Sequence, residues 1–435
     1  MYNPKTTASL SVLSLLMLPL LACAMIQSVF STPTSPVETG TSTPTLPARA
    51  VRQTSVALTR VARRALASPT KTIAPITPVL ARLFTGTPTP SPTVSPVAPQ
   101  VDSVSISAPS LANNLLGEAL ERDLAVYLPA SYSSEVQNHY PVVYYLLDFG
   151  VSSVPAALRP EGIQKDINIG YAKEMILVVV SGVNALGGSF YVNSPVTGNW
   201  DDFVTRDVVG YVDTHYRTLP EPASRGIGGN GMGGSGALNL SMRHPNVFGA
   251  VYSLSPYLFD DNGLAESPMF STQGMIDGFV DLQARELLLP LDDAVSDMQN
   301  NASDERFALA YGAAFVPNPQ AGPPYVDYPY RRQNGQLLRD ETIWKRWESG
   351  FGAVPDKIQA SKANLLRLNG IAIDYGTNDP YRWLPRGCEY FSAQLTAVGI
   401  PNQSVSFPGD PQASLEQRIR AFMLPFFSKK LVFEN

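Results

Sequence analysis

The chain has 435 residues, of which 44% are hydrophobic and 16% are charged, enough for a sizeable folded core, and its formal net charge is −5. The first hundred residues hold eight basic residues and one acid, which leaves 24 basic and 36 acidic residues in the rest. Such an acidic folded part is a poor match for polyanions, so we expect no nucleic-acid partner.

The N-terminus carries an export signal. Lys5 precedes an apolar run from Leu10 to Ala24, which is too short to span a bilayer comfortably and suits the central region of a signal peptide. The run Leu20-Leu21-Ala22-Cys23 resembles a bacterial lipobox, in which the cysteine becomes the acylated first residue. The sequence therefore predicts a lipoprotein-type signal peptide over residues 1–22 and a protein anchored to the membrane of the cell envelope through Cys23. Ordinary cleavage followed by secretion is the alternative.

Residues 23–100 are rich in Thr, Ser and Pro, as in the run from Thr85 to Thr93. A segment of this composition cannot bury enough apolar area to fold alone, and its prolines keep it extended. We therefore predict a disordered stalk, followed by one folded domain over residues 101–435. With Cys23 acylated or removed, only Cys388 remains, so no intramolecular disulfide is expected.

The folded part alternates strand and helix patterns, as a doubly wound α/β sheet requires. Continuous apolar runs at 142–147 and 176–181 indicate strands that are covered on both faces. Helical spacing over 200–216 places apolar residues on one side, namely Phe203, Val204, Val208 and Val212. Further strands are predicted at 101–106, 123–128, 250–255, 368–375 and 404–407.

A glycine-rich run from Arg225 to Gly234 indicates a strand that turns sharply into a helix. Its centre, Gly229-Asn230-Gly231-Met232-Gly233, keeps both flanking glycines of the G-x-S-x-G elbow on which α/β-hydrolases hold a nucleophilic serine. Gly231 stands where that serine would be. Glycine tolerates the strained backbone of the elbow, so we expect the turn to persist without the hydroxyl.

Four further runs accompany the elbow in chain order: Tyr140 to Tyr144, Gly187 to Tyr191, Thr197 to Trp200 and Ser241 to Pro245. With them, the chain from Val101 onward resembles the putative-esterase family of α/β-hydrolases, which includes feruloyl esterases, S-formylglutathione hydrolase and the mycolyltransferases. The resemblance implies an α/β-hydrolase fold with a mostly parallel sheet and a lid-like insertion over residues 257–366. No cofactor and no metal site are expected.

The resemblance places the catalytic triad of the family at Gly231, Asp379 and Pro411. Only the acid is retained, because Pro411 stands where the family has its histidine. All histidines of the chain precede the acid, whereas α/β-hydrolases use the chain order nucleophile, acid, histidine. They are His139, His215 and His244.

The resemblance also locates the oxyanion region, which in the family follows the third strand. Here that region reads Leu147 and Asp148, and the N–H of Met232 is the second expected donor. A carboxylate beside an oxyanion opposes the charge that such a site must stabilise. The remaining cleft residues are predicted to be Tyr191, Trp200 and Asn230.

Nucleophilic acyl transfer needs a hydroxyl or thiol, a base within hydrogen-bond reach and donors aimed at the oxyanion. The nucleophilic hydroxyl or thiol and the base are both missing at the expected positions. The sequence therefore predicts an exported, surface-tethered pseudo-esterase that binds a small-molecule ester, a glycan or an envelope component, or that serves as a scaffold. The alternative is an active carboxylic-ester hydrolase or acyltransferase with non-standard residues. The substitutes considered are Ser235, Cys388, and Ser189 and Ser255 at predicted strand ends, and each is expected to be structural.

Overall fold

The computed structural model describes residues 98–300 and 303–434. The predicted signal peptide, Cys23 and the predicted stalk up to residue 97 lie outside the described residues. Within the described ranges, no helix is long and apolar enough to cross a membrane.

Twelve strands occur in the described part of the chain. They are Gln100–Ser107 (β1), Glu121–Leu128 (β2), Val142–Leu146 (β3), Ile176–Val180 (β4), Asn193–Ser194 (β5), Gly198–Asn199 (β6), Arg225–Asn230 (β7), Ala250–Leu254 (β8), Tyr330–Gln333 (β9), Gln336–Arg339 (β10), Gly370–Gly376 (β11) and Gln403–Phe407 (β12).

Eight of these strands form one sheet in the order β1-β2-β4-β3-β7-β8-β11-β12. The pairs β1/β2 and β2/β4 are antiparallel, and all neighbours from β4 to β12 are parallel. Every residue of β3 and β4 is buried, because helices cover both faces of the sheet. The predicted fold class, a mostly parallel α/β-hydrolase sheet, is confirmed.

The helices of the hydrolase body lie on both faces of this sheet. In chain order they are Ser131–Ser134 (α1), Pro160–Asn168 (α2), Trp200–Asp202 (α3), Val209–His215 (α4) and Met232–Arg243 (α5). Helices α3 to α5 pack on one face, and α2 packs on the other together with the C-terminal helical residues from Ile419 to Phe427.

The region 200–216 is helical, as predicted, but it is not one regular helix. A π-helical segment, Phe203–Val208, separates α3 from α4. The wider turn does not change which side is buried, since Phe203, Val204, Val208 and Val212 are all inaccessible to solvent.

An insertion between β8 and β11 packs against the same core as one face of the sheet. It contains Gly263–Glu266 (α6), Gln273–Glu286 (α7), Leu291–Asn300 (α8), Ser303–Phe315 (α9), the hairpin β9–β10, Glu341–Phe351 (α10) and Val354–Leu365 (α11). Its core is aromatic: the ring of Tyr311 stacks on that of Trp347 at 5.5 Å and meets Phe351 edge-on at 4.8 Å. The predicted lid-like segment therefore shares its core with one face of the hydrolase body, since Phe190 also contacts Tyr311 and Phe351.

The chain ends with Trp383–Ala397 (α12), Leu415–Arg418 (α13), a π-helical segment Ile419–Met423, and Leu424–Lys430 (α14). The ring of Phe427 on α14 lies against the central strand β7. A Cβ at Gly226 would come within 2.6 Å of that ring, so the close approach requires glycine.

The topology brings the predicted site residues to one edge of the sheet. The chain order changes direction between β3 and β7, which are parallel neighbours. Ligands of open α/β sheets bind beyond the carboxyl ends of the strands at such a switch point. Asp148 follows β3 and Gly231 follows β7, so both residues lie there.

Candidate active site at the elbow

The elbow forms as the sequence predicts. Strand β7 ends at Asn230, helix α5 begins at Met232, and Gly231 between them has φ 52° and ψ −116°. Its N–H donates to the carbonyl of Leu254, and its own carbonyl accepts from the N–H of Ser235. A side chain is strained in this backbone conformation, so glycine is the residue that adopts it at least cost.

The carboxylate of Asp148 fills the space in front of the elbow. One of its oxygens, Oδ1, accepts hydrogen bonds from the backbone N–H of Met232 at 2.8 Å and of Phe149 at 2.7 Å. The hydroxyl of Tyr257 donates to the same oxygen at 2.9 Å. The N–H of Met232 is the donor expected to face an oxyanion, so this carboxylate oxygen occupies that donor.

Two further hydrogen bonds, from Asn230 to Asp148 and from Tyr145 to Asn230, help to fix this carboxylate. The amide of Asn230 donates to Oδ2 of Asp148 at 3.3 Å, and the buried hydroxyl of Tyr145 donates to Oδ1 of Asn230 at 2.8 Å. A Cβ built on Gly231 would overlap the carboxylate of Asp148. The side chain of Asp148 therefore uses the volume that a residue larger than glycine would need.

Burial raises the pKa of Asp148, and the hydrogen bonds from Met232, Phe149 and Tyr257 oppose that rise. Burial, followed by the charge of Asp148, raises the pKa of Tyr257 well above its usual value. Tyr257 is therefore a neutral hydroxyl donor at physiological pH, and Asp148 is the acceptor of its hydrogen bond.

A cavity of about 200 Å³ opens beside the elbow. Its wall includes Gly231, Asp379 and Pro411, which are the three positions at which the resemblance places a triad. The structure thus brings these positions together from the ends of three strands. The remaining lining residues are Asp148, Asn230, Leu254, Ser255, Tyr257, Pro380, Tyr381, Leu384, Phe407, Asp410, Gln412, Leu415 and Arg418.

Asp379, the residue that corresponds to the acid of the family, is 7% exposed in this wall. Its Oδ1 accepts the N–H of Tyr381 at 2.8 Å. Burial raises the pKa of Asp379, and the nearby charges of Asp410 and Asp148 raise it further. The cavity therefore combines three carboxyl groups.

Arg418 also lines the cavity, but its guanidinium is committed to another group. It forms hydrogen bonds of 2.7–3.1 Å to both carboxylate oxygens of Asp374 on β11, and both side chains are almost completely buried. The hydroxyl of Tyr252 donates to the same carboxylate. Arg418 is thus a structural partner of Asp374 and does not neutralise the carboxyl groups that face the cavity.

All histidines lie in the described part of the chain, and none of them lines this cavity. His139 lies beside Glu434, with 3.8 Å between Nδ1 and a carboxylate oxygen. His215 stacks on the ring of Tyr211 at 4.0 Å. The Nε2 of His244 pairs with the buried carboxylate of Asp201 at 2.7 Å.

The alternative nucleophiles differ in position. The hydroxyl of Ser235 bonds to the carbonyl of Tyr257 at 3.0 Å and accepts its N–H at 2.6 Å, and Ser189 is completely buried. Ser189 lies in the loop after β4 and not at a strand end, which corrects the prediction. Ser255 does follow β8, lines the cavity and has a positive φ of 40°. Burial raises the pKa of the Cys388 thiol well above its usual value.

Several predicted cleft residues do not reach the cavity. Trp200 is fully buried, donates through Nε1 to the carbonyl of Thr197 and packs on Phe203. Tyr191 is also fully buried, and its hydroxyl is bonded to the carbonyls of Leu147 and Val180 beneath the elbow. Both therefore belong to the core, which corrects their assignment to the cleft wall.

Of the other predicted cleft residues, Met232 and Asn230 contribute to the site and Leu147 does not. Leu147 is buried on the far face of the sheet, and Met232 reaches the site through its backbone N–H while its side chain is buried. Asn230 contacts the site directly through Asp148.

Sequence reasoning missed Tyr257, Tyr381 and Asp410 as parts of the site. The signal that could have found them is their place three to five residues beyond the carboxyl ends of β8, β11 and β12, close to Ser255, Asp379 and Pro411. Among the described residues, no group of three potential ligand side chains is arranged to hold a metal ion.

Comparisons with known proteins are consistent with this geometry. Residues 118–334 match the family model described as "Putative esterase". A solved ferulic acid esterase superposes with a TM-score of 0.51 and 18% identity, over 77% of this chain and 100% of its own. At this identity the likeness shows the fold alone.

Two further solved structures are more distant. An S-formylglutathione hydrolase from Agrobacterium tumefaciens has a TM-score of 0.48 and 15% identity, over 78% of this chain and 98% of its own. A fluorophosphonate-binding serine hydrolase from Staphylococcus aureus has a TM-score of 0.46 and 15% identity, over 76% of this chain and 99% of its own. No curated protein sequence matches the chain.

Proposed function

Since the folded domain belongs to the putative-esterase family of α/β-hydrolases, we propose that this protein is a non-catalytic member that binds a ligand in the former ester cleft. We further propose that it is exported and tethered to the cell envelope through Cys23. The ligand classes considered are small esters, glycans and envelope components.

The observation that carries the proposal is the position of Asp148. Its Oδ1 accepts the backbone N–H of Met232, the predicted oxyanion donor, and that of Phe149, and a Cβ at Gly231 would overlap its carboxylate. An ester carbonyl placed here would meet a negative charge where acyl transfer requires donors. The same side chain therefore opposes both the nucleophile and the transition state.

Proton transfer presents a second obstacle. A serine or cysteine nucleophile is activated by an adjacent base that another group orients. The imidazoles of His139, His215 and His244 are held elsewhere, and Pro411 has no group that accepts a proton. This arrangement supports a protein that does not turn over esters.

A ligand-binding role is favoured over a purely structural one because the cavity persists. About 200 Å³ remains open beside Gly231, with Tyr257, Tyr381 and Phe407 in its wall. A protein kept only as a scaffold has no need for an open aromatic cavity at the ligand-binding edge of its sheet.

One observation favours the second candidate, an active hydrolase with a substitute nucleophile. Ser255 lines the cavity and has a positive φ, which is uncommon for a residue with a side chain and occurs at functional sites. Its base would have to be a carboxylate such as Asp379. We rank this candidate second because no imidazole faces Ser255.

The experiment exposes the purified full chain to a fluorophosphonate probe and, separately, to 4-nitrophenyl acetate, with heat-denatured protein as the background. We expect labelling and hydrolysis no higher than that background. Ser255→Ala is the matched variant, with Ser235→Ala as its control. Labelling of native protein that maps to one serine, and that is lost only in Ser255→Ala, would replace the proposal with the second candidate.

A further inference from the structure

We propose that the cavity beside the elbow binds a small organic ammonium ion, which donates an N–H to the carboxylate of Asp379 and packs its apolar body on the aromatic wall. This inference rests on the proposed function, because it names the charge of the ligand that the former ester cleft holds. An open carboxylate oxygen, a wall that offers it no cation, and the aromatic rings around it support this class of ligand.

Asp379 has one carboxylate oxygen that is bonded and one that is not. The residue is only 7% exposed, and its Oδ1 accepts the N–H of Tyr381 at 2.8 Å. Oδ2 accepts no hydrogen bond from any residue that the structure describes, and it is not enclosed by protein atoms. Since Asp379 lines the cavity, an N–H donor bound there reaches this oxygen. Buried polar groups are almost always hydrogen-bonded, so the free oxygen indicates a ligand that brings a donor.

Asp410 adds a second carboxyl group to the same wall. It lies on the loop after β12, and Asp379 lies on the loop after β11. The N–H of Asn378 donates to the carbonyl of Gly409 at 3.3 Å, which holds the two loops together. Burial raises the pKa of Asp379, and the charges of Asp410 and Asp148 raise it further. A cation bound beside these carboxyl groups relieves that repulsion and favours their ionised forms.

The protein offers these carboxyl groups no cation of its own. Arg418 is the one basic side chain among the described residues that line the cavity, and its guanidinium is bonded to both carboxylate oxygens of Asp374. A metal ion is a poor alternative, because no three potential ligand side chains in the described ranges are arranged to hold one. Partly buried carboxylates are costly unless a positive charge pairs with them, so an organic cation is the partner that this wall suits.

Aromatic rings supply the rest of the recognition. Tyr257, Tyr381 and Phe407 all line the cavity. Tyr381 is 46% exposed and follows Asp379 by two positions, so part of its ring is free to contact a ligand that bonds to the carboxylate. An ammonium ion is attracted to the face of an aromatic ring, and the carbon atoms attached to it pack there as well. The combination of an open carboxylate and aromatic rings therefore favours a cation over a neutral ligand or an anion.

The test measures binding of benzylammonium to the full chain by calorimetry near neutral pH. Benzyl alcohol, which has nearly the same shape and no charge, is the matched probe. We expect benzylammonium to bind at least about tenfold more tightly, because hydrogen bonds between charged groups contribute more than neutral ones. Benzoate has the opposite charge and should bind more weakly than benzyl alcohol, since the carboxyl groups of the wall repel it.

Variants locate the contact. Asp379→Asn keeps the shape of the side chain and removes its charge, so it should weaken benzylammonium binding at least about tenfold and leave benzyl alcohol binding nearly unchanged. Asp410→Asn should weaken benzylammonium binding by a smaller factor. Tyr381→Leu removes a partly exposed ring and should weaken it about two- to fivefold. Asp356→Asn, at an exposed carboxylate of helix α11, is the matched control and should bind as the unaltered protein does.

Equal binding of benzylammonium and benzyl alcohol, no detectable binding of benzylammonium, or full binding by a folded Asp379→Asn would each overturn the inference. Circular dichroism shows whether each variant is folded, and the comparison of the two probes on the unaltered protein needs no variant. Ester hydrolysis by the unaltered protein, with the preference for benzylammonium intact, would overturn the proposed function and leave this site standing. The absence of both hydrolysis and that preference would overturn this site alone.

Discussion

Asp148 and Gly231 constrain each other, because a Cβ at position 231 would overlap the carboxylate of Asp148 where that side chain now lies. The carboxylate of Asp148 occupies the volume that any Cβ at position 231 would enter, and the donors at Met232 and Phe149 hold it there. A substitution at either position therefore changes what the other can do. This dependence makes the pair the most direct place to test the proposed function.

We predict that Gly231→Ser neither creates hydrolysis nor is tolerated well. The new side chain would meet Asp148 and would also strain the backbone at φ 52°, so the free energy of unfolding should fall by about 1–3 kcal/mol through overpacking alone. Urea denaturation measures the loss, and 4-nitrophenyl acetate tests for activity. No catalysis is expected, since no imidazole lines the cavity.

Two controls separate the steric clash from the backbone strain. Gly117 has φ 70° and no atom within 4 Å of an added Cβ, so Gly117→Ser reports the cost of a positive φ without a steric clash. Adding Asp148→Gly to Gly231→Ser should recover stability, with a coupling of about 0.5–3 kcal/mol. Additive effects of the two substitutions would contradict the proposed contact.

We also predict that Asp148 makes stability fall as pH rises. Burial raises its pKa in the folded protein, so between the unfolded pKa of about 3.9 and the folded pKa the native state binds more protons than the unfolded state. Stability is greatest below that interval and is reduced above it. Asp148→Asn cannot titrate, so its stability relative to the unaltered protein should increase with pH and then level off.

Denaturation in urea at several pH values between about 4 and 8 measures this difference. Glu121→Gln, at the exposed first residue of strand β2, is the control and should not show the trend. A stability difference between Asp148→Asn and the unaltered protein that does not vary with pH would mean that Asp148 is not desolvated.

At the scale of single residues, the sequence predicts less than the structure shows. The sequence locates Asp148 beside the oxyanion region and Met232 as a donor. It does not reveal the direction of the Asp148 side chain, because the hydroxyl of Tyr257 and the amide of Asn230 help to fix it and both come from distant segments. Trp200 and Tyr191 were assigned to the cleft because they occur in family-like runs, yet they pack in the core.

At the scale of elements, the insertion has a polar contact that holds its helices together. The hydroxyl of Tyr311 on α9 donates to the carbonyl of Trp347 at 2.5 Å and accepts the N–H of Phe351 at 3.1 Å. Both groups lie on α10, and the contact is fully buried. The hydroxyl of Tyr328, in the same insertion, is buried without a partner.

We predict opposite consequences of removing these two hydroxyls. Tyr311→Phe leaves buried backbone groups unsatisfied and should lower the free energy of unfolding by about 1–3 kcal/mol. Tyr328→Phe removes a hydroxyl that has no partner and should be neutral or stabilising. Thermal unfolding of the two variants provides the comparison, and an equal loss of stability in both would contradict the assigned contacts.

The strands were predicted to within two residues where long apolar runs define them, as in β3 and β4. Such runs are recognisable because both faces of these strands are buried. The π-helical segment at Phe203–Val208 and the hairpin β9–β10 were not predicted. A π turn leaves the apolar face of a helix almost unchanged, and the hairpin strands are short and largely exposed.

At the scale of the whole molecule, the family was predictable and its chemistry was not. The elbow and the runs around it identified the putative-esterase family, which the family match confirms. Local runs identify a fold because each one fixes a turn or a strand. Catalysis depends on side chains that come together from several strands. Whether the site can catalyse a reaction therefore depends on where Asp148, Asp379 and Pro411 lie relative to one another.

The proposed tether is also a property of the whole chain. We predict that the full chain, produced in a bacterial host, sediments with membranes and that Cys23→Ser releases it into the soluble exported fraction, because a lipidated cysteine is the proposed anchor. Cell fractionation with antibody detection measures the shift. Cys388→Ala, which alters a buried thiol, should remain with the membranes. Retention of Cys23→Ser would indicate a different anchor.

The ring of Phe427 against strand β7 has a consequence for how this domain is made. The centre of the sheet includes residues near position 226, but one of its faces is completed by a side chain two hundred positions later. A nascent chain therefore cannot close the core until translation has passed Phe427. During synthesis the earlier segments therefore stay without their final partner until the C-terminal helix α14 has been made.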